Sequence, residues 1–249
     1  MLISTNAIVL KTIPYSDSSI ITRLFTEDQG KIIIIAKGAW RSKKTMGLLL
    51  EPMNHIHLQY YQKNSRDIQI LKDAELIQQF SILRSELNRI ILGQTVVEAL
   101  DKSTPENNPL PLLYRLGWRV LDKMNSVDMN YWVIFAFYLY QLSLRQGFMP
   151  NLKTCCQCKS IFSHAFIDDK TGELICHDCS SRGKHFINKD GLIFLQKIEN
   201  MHLDDIDLEM NNSSEMFIAL RFLEIFNRIH LEGMNKVHSL DMVQKLLKL

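Results

Sequence analysis

Four cysteines carry the most specific chemistry in this chain of 249 residues: Cys155 and Cys158, then Cys176 and Cys179 after a gap of seventeen residues. Thiolates paired in two Cys-x-x-Cys copies at this separation are the ligand set of a structural zinc ion. Each pair fits on one tight turn, and the intervening segment is long enough to fold back and bring four sulfurs to ~2.3 Å from a tetrahedral centre. Four sulfurs close the coordination shell, so no position remains for the water or substrate that a catalytic zinc requires. The array is read as Zn(II) held structurally by Cys155, Cys158, Cys176 and Cys179. Zinc with four thiolates is net negative, and Lys153, Lys159, Arg182 and Lys184 flank it with compensating charge. A dithiol switch is the competing chemistry, but redox motifs seldom come in two copies at ribbon spacing. Cys156, His164 and His177 lie nearby in sequence and are read as bystanders, because the four-cysteine set is already complete.

The second chemical feature is a basic window. Lys31, Lys37, Arg41, Lys43 and Lys44 fall within fourteen residues that contain no acid, and Trp40 sits among them. The net charge of +2 is too small to suggest a polyanion partner, but its distribution is uneven. Residues 1–80 carry ten Lys/Arg against seven Asp/Glu, whereas residues 151–249 carry twelve against fourteen, with a cluster at Asp204, Asp205, Asp207 and Glu209. Like charges without counter-ions are costly to hold together unless a polyanion binds them. Lys31, Lys37, Trp40, Arg41, Lys43 and Lys44 are therefore the candidate nucleic-acid-binding residues, the cations for phosphates and an aromatic for bases. Trp40 reads equally as a stacking platform and as a loop anchor packed on its own domain. No phosphate-binding Gly-rich loop, nucleophile elbow or His-Glu-x-x-His motif is present, so no enzyme activity is expected. His55 and His57 read as two exposed histidines on one strand face rather than as metal ligands.

The elements that must position these residues are legible from periodicity. Segments near 3–13, 18–26, 31–37, 52–61 and 67–76 are rich in Ile, Val, Thr and Tyr and predict five strands. Gly30 closes one turn and Gln62 to Ser65 another, and Tyr60 and Tyr61 must face opposite sides of one strand. Five short strands without a helical crossover suit a small antiparallel barrel of OB type. After Glu75 the spacing becomes helical, with Leu83, Leu87, Ile90, Ile91, Val97 and Leu100 on one face. Further helices are expected through Trp118, from Tyr131 to Leu144, near Asp190, and after an Asn212–Glu215 capping box. The stripe Phe217, Leu220, Leu223, Phe226 and Ile229 predicts core packing. The expected architecture is α+β: a five-stranded antiparallel OB-fold barrel over residues 1–80, then a helical domain over 81–249 carrying a zinc-ribbon-like insertion at about 151–182. The apolar run from Tyr131 is too short to span a bilayer and reads as a buried helix. The N-terminus lacks the features of a signal peptide, and five cysteines suit a reducing compartment, so a cytoplasmic, nucleoid-associated protein is expected.

Particular residues extend this reading. Ala7-Ile8-Val9-Leu10, Tyr15-Ser16-Asp17-Ser18-Ser19, Leu24-Phe25-Thr26 and Gly30-Lys31 resemble the opening of the RecO family of bacterial DNA repair and recombination mediators. Ala36-Lys37-Gly38-Ala39-Trp40-Arg41-Ser42-Lys43 is similar to that family's Lys-Gly-Ala-Arg-Arg segment, and Leu50-Glu51-Pro52 to its Leu-Gln-Pro. Gly147-Phe148-Met149-Pro150-Asn151-Leu152 resembles the lead into its cysteine pairs. The resemblance implies an OB-fold, a helical domain with a zinc-ribbon insertion, and binding of single- and double-stranded DNA. It further implies annealing of complementary strands and loading of recombinase with RecR and, in some organisms, RecF. The helical domain is then expected to contact the acidic tail of single-stranded DNA-binding protein. Two departures stand out: Trp40 replaces a basic residue, and Lys159 occupies a place where the family often has glycine. The alternative from another class is a zinc-ribbon OB-fold module that binds RNA or associates with transcription.

Overall fold

The computed structural model describes residues 1–39, 46–168, 170–180, 185–206 and 214–247. Trp40, Arg41, Lys43, Lys44, Arg182, Lys184, Asp207, Glu209 and Asn212 lie outside the described residues. The chain forms two compact units, one of residues 1–125 with 237–239 and one of residues 126–236 with 240–249.

The first unit is built on β1 (Leu2–Pro14), β2 (Ile20–Thr26), β3 (Gly30–Ala36), a short α1 (Met46–Leu49), β4 (His55–Tyr61) and β5 (Ile68–Gln78), followed by α2 (Leu87–Ser103) and α3 (Pro111–Met124). The strands close into a barrel in the order β1-β2-β3-β5-β4, with β4 returning to β1. An odd number of strands cannot alternate direction all the way round a ring. One pair must run parallel, and here it is β3 with β5, joined at Ile33↔Ile68, Ile34↔Gln69 and Ile35↔Ile70. Strand alternation fills the interior: Ile20 and Leu24 of β2, Ile32 and Ile34 of β3, and Ile56, Leu58 and Tyr60 of β4 are buried together. Tyr61, next to Tyr60, is exposed.

Strand β1 is buried on both faces over part of its length. Ala7 and Val9 enter the barrel, while Ile8 meets Leu100 of α2 at Gly117 of α3, where a Cβ would collide with both side chains. The register shifts between Val9 and Lys11, and beyond that bulge Lys11 and Ile13 are exposed. Gly30 adopts φ 70° and lies so close to the backbone of Asn108 that no side chain fits. The helical face of α2 differs from its expected start. Leu83 is buried from the turn before the helix, against Gly93, whereas Leu87 opens the helix and is 66% exposed. The turn at residues 81–85 breaks the helical phase on which the shared face depended.

The second unit comprises α4 (Tyr131–Arg145), a small sheet of β6 (Ala165–Ile167), β7 (Leu174–Ile175) and β8 (Phe186–Ile187), then α5 (Lys189–Asn200) and α6 (Ser214–His230), with α7 (His238–Leu246) ending the described chain. Asn130 caps α4 by accepting from the backbone N–H groups of Trp132 and Val133. Residues 132–143 of α4 are buried on every side, as a helix apolar all round must be. Leu220, Leu223 and Phe226 of α6 are buried, Phe217 sets its ring edge-on to Trp132 at 5.6 Å, and Ile229 is exposed. Among the described residues no helix is long and apolar enough to cross a membrane.

Candidate metal centre and nucleic-acid surface

The four paired cysteines converge. Cys155 and Cys158 lie on the turn before β6, Cys176 and Cys179 on the turn after β7, and their four sulfurs all fall within 4.8 Å of one another. Four atoms at ~2.3 Å from a tetrahedral centre must be about 3.8 Å apart, and Cys158 Sγ stands 3.6 Å from Cys176 Sγ. The set is compatible with a tetrahedral metal ion. Backbone geometry prepares it further, because the N–H of Cys176 donates to Cys155 Sγ at 3.4 Å and Ser160 Oγ lies 2.9 Å from Cys158 Sγ. Burial raises the Cys155 thiol, but the N–H groups of Cys176, Cys158 and Gln157 outweigh it and bring the value down to about 6. Cys179, whose S–H donates to the sulfurs of Cys158 and Cys176, is pushed the other way, up to about 12. Four thiols this close cannot all ionise unless a cation joins them, and a bound metal supplies that charge.

Neither His164 nor His177 belongs to the cluster; the first ring lies beside Phe186 and the second beside Phe166 and Asp178. Cys156 is also outside it, and burial raises its thiol. Lys159 takes φ 63°, the left-handed conformation that glycine adopts freely. Its ammonium donates to Cys156 O at 2.8 Å across the same turn. The residue that departs from the family pattern thus sits where glycine's freedom is needed, and the turn closes regardless.

The basic window divides. Lys37 is exposed just after β3. Lys31 is not a surface cation: it is only 5% exposed, and its ammonium donates to Asp101 O at 2.6 Å and Thr104 O at 2.7 Å. Those carbonyls end α2, where the helix leaves acceptors without intrahelical partners and its dipole favours a cation. Arg23 on β2 pairs with Asp101 of α2 at 3.0 Å and with Glu106, past the end of that helix, at 3.4 Å. Lys31 is therefore withdrawn from the phosphate-binding set, because burial and two carbonyls take up its charge. Trp40, Arg41, Lys43 and Lys44 lie outside the described residues.

His55, expected on the surface, is also buried. Its Nε2 is 2.7 Å from Tyr114 Oη, and its ring stacks on Trp118 at 5.5 Å with the planes 9° apart. Period-two alternation placed it on an outward face correctly, but α3 covers that face. His57 lies two residues further on the same strand, half-buried, 2.8 Å from Ser4 Oγ and 2.9 Å from Asn6 Oδ1. Burial lowers the His55 pKa to about 4, with Asp122 opposing weakly. Since this folded value lies below the ordinary ~6.5, its contribution to stability is complete above pH 6.5 and disappears as pH falls toward 4. After discounting for solvent screening, the loss is about 2 kcal/mol. Urea midpoints of wild type and His55→Gln are expected to converge between pH 7 and pH 4.5; a difference independent of pH removes the assignment.

Comparison with known proteins places the chain. The family model described as recombination protein O N terminal matches residues 1–80, and that described as recombination protein O C terminal matches residues 84–240. The protein named DNA repair protein RecO in Salinibacter ruber is 34% identical over 149 residues, which are 60% of this chain and 57% of that protein. Its namesake in Pelobacter propionicus is 32% identical over 181 residues, 72% of each chain, and that of Listeria innocua 22% identical over 251 residues, 97% and 96% of the two. In the matches with Salinibacter ruber and Prosthecochloris aestuarii the chain spans 57% and 59% of the relative's length. With the closed five-stranded barrel inside the first matched region and the four-cysteine cluster inside the second, this chain belongs to the recombination protein O family.

Proposed function

We propose that the protein is a DNA-binding mediator of recombinational repair. In this reading it anneals complementary strands and helps load recombinase onto single-stranded DNA coated by its binding protein. The observation that carries the proposal is the pair of family matches, which together cover residues 1–80 and 84–240 of this chain, to a family whose relatives are named DNA repair protein RecO. The barrel domain over residues 1–80 supplies the DNA surface, with Lys37, Arg41, Lys43 and Lys44 for phosphates and Trp40 for a base or as a loop anchor. The helical domain over residues 81–249 docks protein partners, a RecR-type mediator, RecF and the acidic tail of single-stranded DNA-binding protein, in a nucleoid-associated cytoplasmic setting. Zn(II) is the metal of the four-cysteine site, since four thiolates in tetrahedral array suit it and no ligand position stays open for chemistry. Its role is to fold the insertion at about 151–182.

Binding to phosphates releases counterions, so affinity for single-stranded DNA should fall steeply with salt. Replacing Lys37 or Arg41 by Ala is expected to weaken binding uniformly across sequences and to lower the salt slope by about 1 each. An unchanged slope in the double substitution rejects the loop as the DNA surface. A strand-annealing assay with and without single-stranded DNA-binding protein tests the function itself: annealing of coated strands supports it, and failure on bare and coated strands alike rejects it. Equal or tighter binding to RNA of the same sequence favours the RNA-binding alternative.

A further inference from the structure

Four aromatic rings form a row on the outer face of the small sheet. In antiparallel strands directly opposed residues share a face. Phe166 of β6 stands opposite Ile175 of β7 and Phe186 of β8, whereas Ala165 and Ile167 stand opposite Ile187 and Leu174. The second set is buried, none of its four members more than 1% exposed. On the first face Phe186 is 50% exposed, and Phe166 is half-buried where it packs on the cluster of Cys155, Ile175 and Cys176. Alternation extends the row to His164, two residues before Phe166, and to His177, two residues after Ile175, and both are exposed. Ring centroids follow one another at 5.8 Å from His164 to Phe186, 5.4 Å from Phe186 to Phe166 and 6.3 Å from Phe166 to His177. The successive planes are tilted by 49°, 57° and 51°, so the rings do not use up their faces by stacking on one another.

The chemistry that a row of exposed rings offers is π stacking. An extended peptide takes main-chain hydrogen bonds from a strand edge, but these side chains stand on a sheet face. Flat bases are the complementary partner, because every base presents a π face and successive bases stack on successive rings. A duplex keeps its bases paired and stacked on each other, so the row selects single strands. Cations for the backbone stand in the segments flanking the sheet: Lys153, Lys159 and Lys189 are exposed, with exposed Asp178 and Asp190 offsetting part of their charge. Stacking, rather than charge, therefore dominates at this face. We propose that the face formed by His164, Phe166, His177 and Phe186 is a second site for single-stranded DNA, which holds unpaired bases by stacking. The inference rests on the reading of the protein as a DNA binder and adds a division of labour to it. The basic loop holds phosphates of single strands and duplexes alike, and the ring row distinguishes the two.

The test uses the full chain with its metal content measured. Three fluorescein-labelled probes of one length are compared by anisotropy: a single strand, a duplex, and a single strand of abasic sites. Phe186→Leu keeps an apolar side chain on the sheet and removes the π face. It is expected to weaken the single strand by about fivefold or more, while duplex affinity stays within about twofold and the salt slope does not move. Phe186→Trp is expected to bind the single strand as wild type does, and on the abasic strand wild type and Phe186→Leu should bind alike. His164→Ala, at an exposed position outside the strands, carries the same comparison if Phe186→Leu lowers the metal content, with an expected loss of about threefold. Equal single-strand binding by wild type, Phe186→Leu and His164→Ala overturns the proposal. So does an equal loss on single strand and duplex, or a loss on the abasic strand as large as on the intact one, which makes the face a backbone contact. Wild type that binds neither single strand nor duplex removes the DNA reading and this site together. Steeply salt-dependent binding that ignores Phe186 and His164 removes the ring row alone.

Discussion

Chelating the metal, or replacing Cys155 or Cys176 with Ser, is expected to unfold the segment from Cys155 to Ile187 while the barrel remains folded. The small sheet cannot stand alone. Strands β6, β7 and β8 have three, two and two residues; Ala165, Ile167, Leu174 and Ile187 are buried, and the buried cluster at the turns consists of Cys155, Ile175 and Cys176. A sheet of this size is marginal in water, and its backbone pairs number only four. On the proposed reading, a metal held by the four thiolates fixes the two turns. Apparent binding free energies of structural zinc in small domains run to about 10–16 kcal/mol at neutral pH, which is folding energy for the segment that holds the ion. Loss of the ion should expose residues 156–180 to limited proteolysis, release about one equivalent of zinc per chain, and make four further thiols reactive. Cys156→Ser is the control, since its thiol lies outside the cluster and metal content should not change. A stripped protein that resists the protease as well as the untreated one separates the cysteines from the folding of this segment.

The contrast between that site and the basic window shows what a sequence makes legible. Four cysteines at fixed spacing declare their geometry because only one arrangement satisfies all four thiolates, and the turns that carry them are local. The barrel strands were equally readable. Ile32, Ile34 and Ala36 alternate with half-buried Ile33 and Ile35, and that period survives whatever packs outside. The outer face was not readable, since whether an outward residue meets solvent or a helix depends on chain from far away. His55 lies 59 residues from Tyr114. Lys31 reaches carbonyls 70 and 73 residues along the chain. A count of like charges treats Lys31 and Lys37 alike, although α2 covers one and not the other. One signal was available: Lys31 lies within an apolar strand that begins with a turn glycine, while Lys37 follows the strand's end. Leu83 and Leu87 illustrate the same limit, for a single turn between them breaks a periodicity that the sequence shows as continuous.

Lys31→Ala is therefore expected to destabilise the barrel unit and to leave the salt dependence of DNA binding unchanged. Truncation removes two short hydrogen bonds from a charged donor and leaves the carbonyls of Asp101 and Thr104 under a newly opened space. Hydrogen bonds to charged groups are worth ~1.5–3 kcal/mol each, and buried acceptors without partners carry a further penalty, so a loss of about 3 kcal/mol is expected. Burial lowers the Lys31 pKa and Asp101 partly restores it. Because the folded value lies below the unfolded one, this linkage favours the folded state at alkaline pH, where the amine is neutral in both states, and weakens as pH falls through the folded value. Lys31→Met separates the two contributions. It keeps the buried stem and deletes the donors, so it should recover the packing part of the loss and none of the hydrogen-bond part. Urea unfolding of the three proteins measures this directly. Titration of single-stranded DNA binding against salt then completes the comparison: a phosphate ligand at this position lowers the slope by about 1 without costing stability, and the buried cap does the reverse. A variant as stable as wild type with a reduced slope returns Lys31 to the DNA surface. A destabilised variant with an intact slope places its charge on the end of α2, as the hydrogen bonds to Asp101 and Thr104 require.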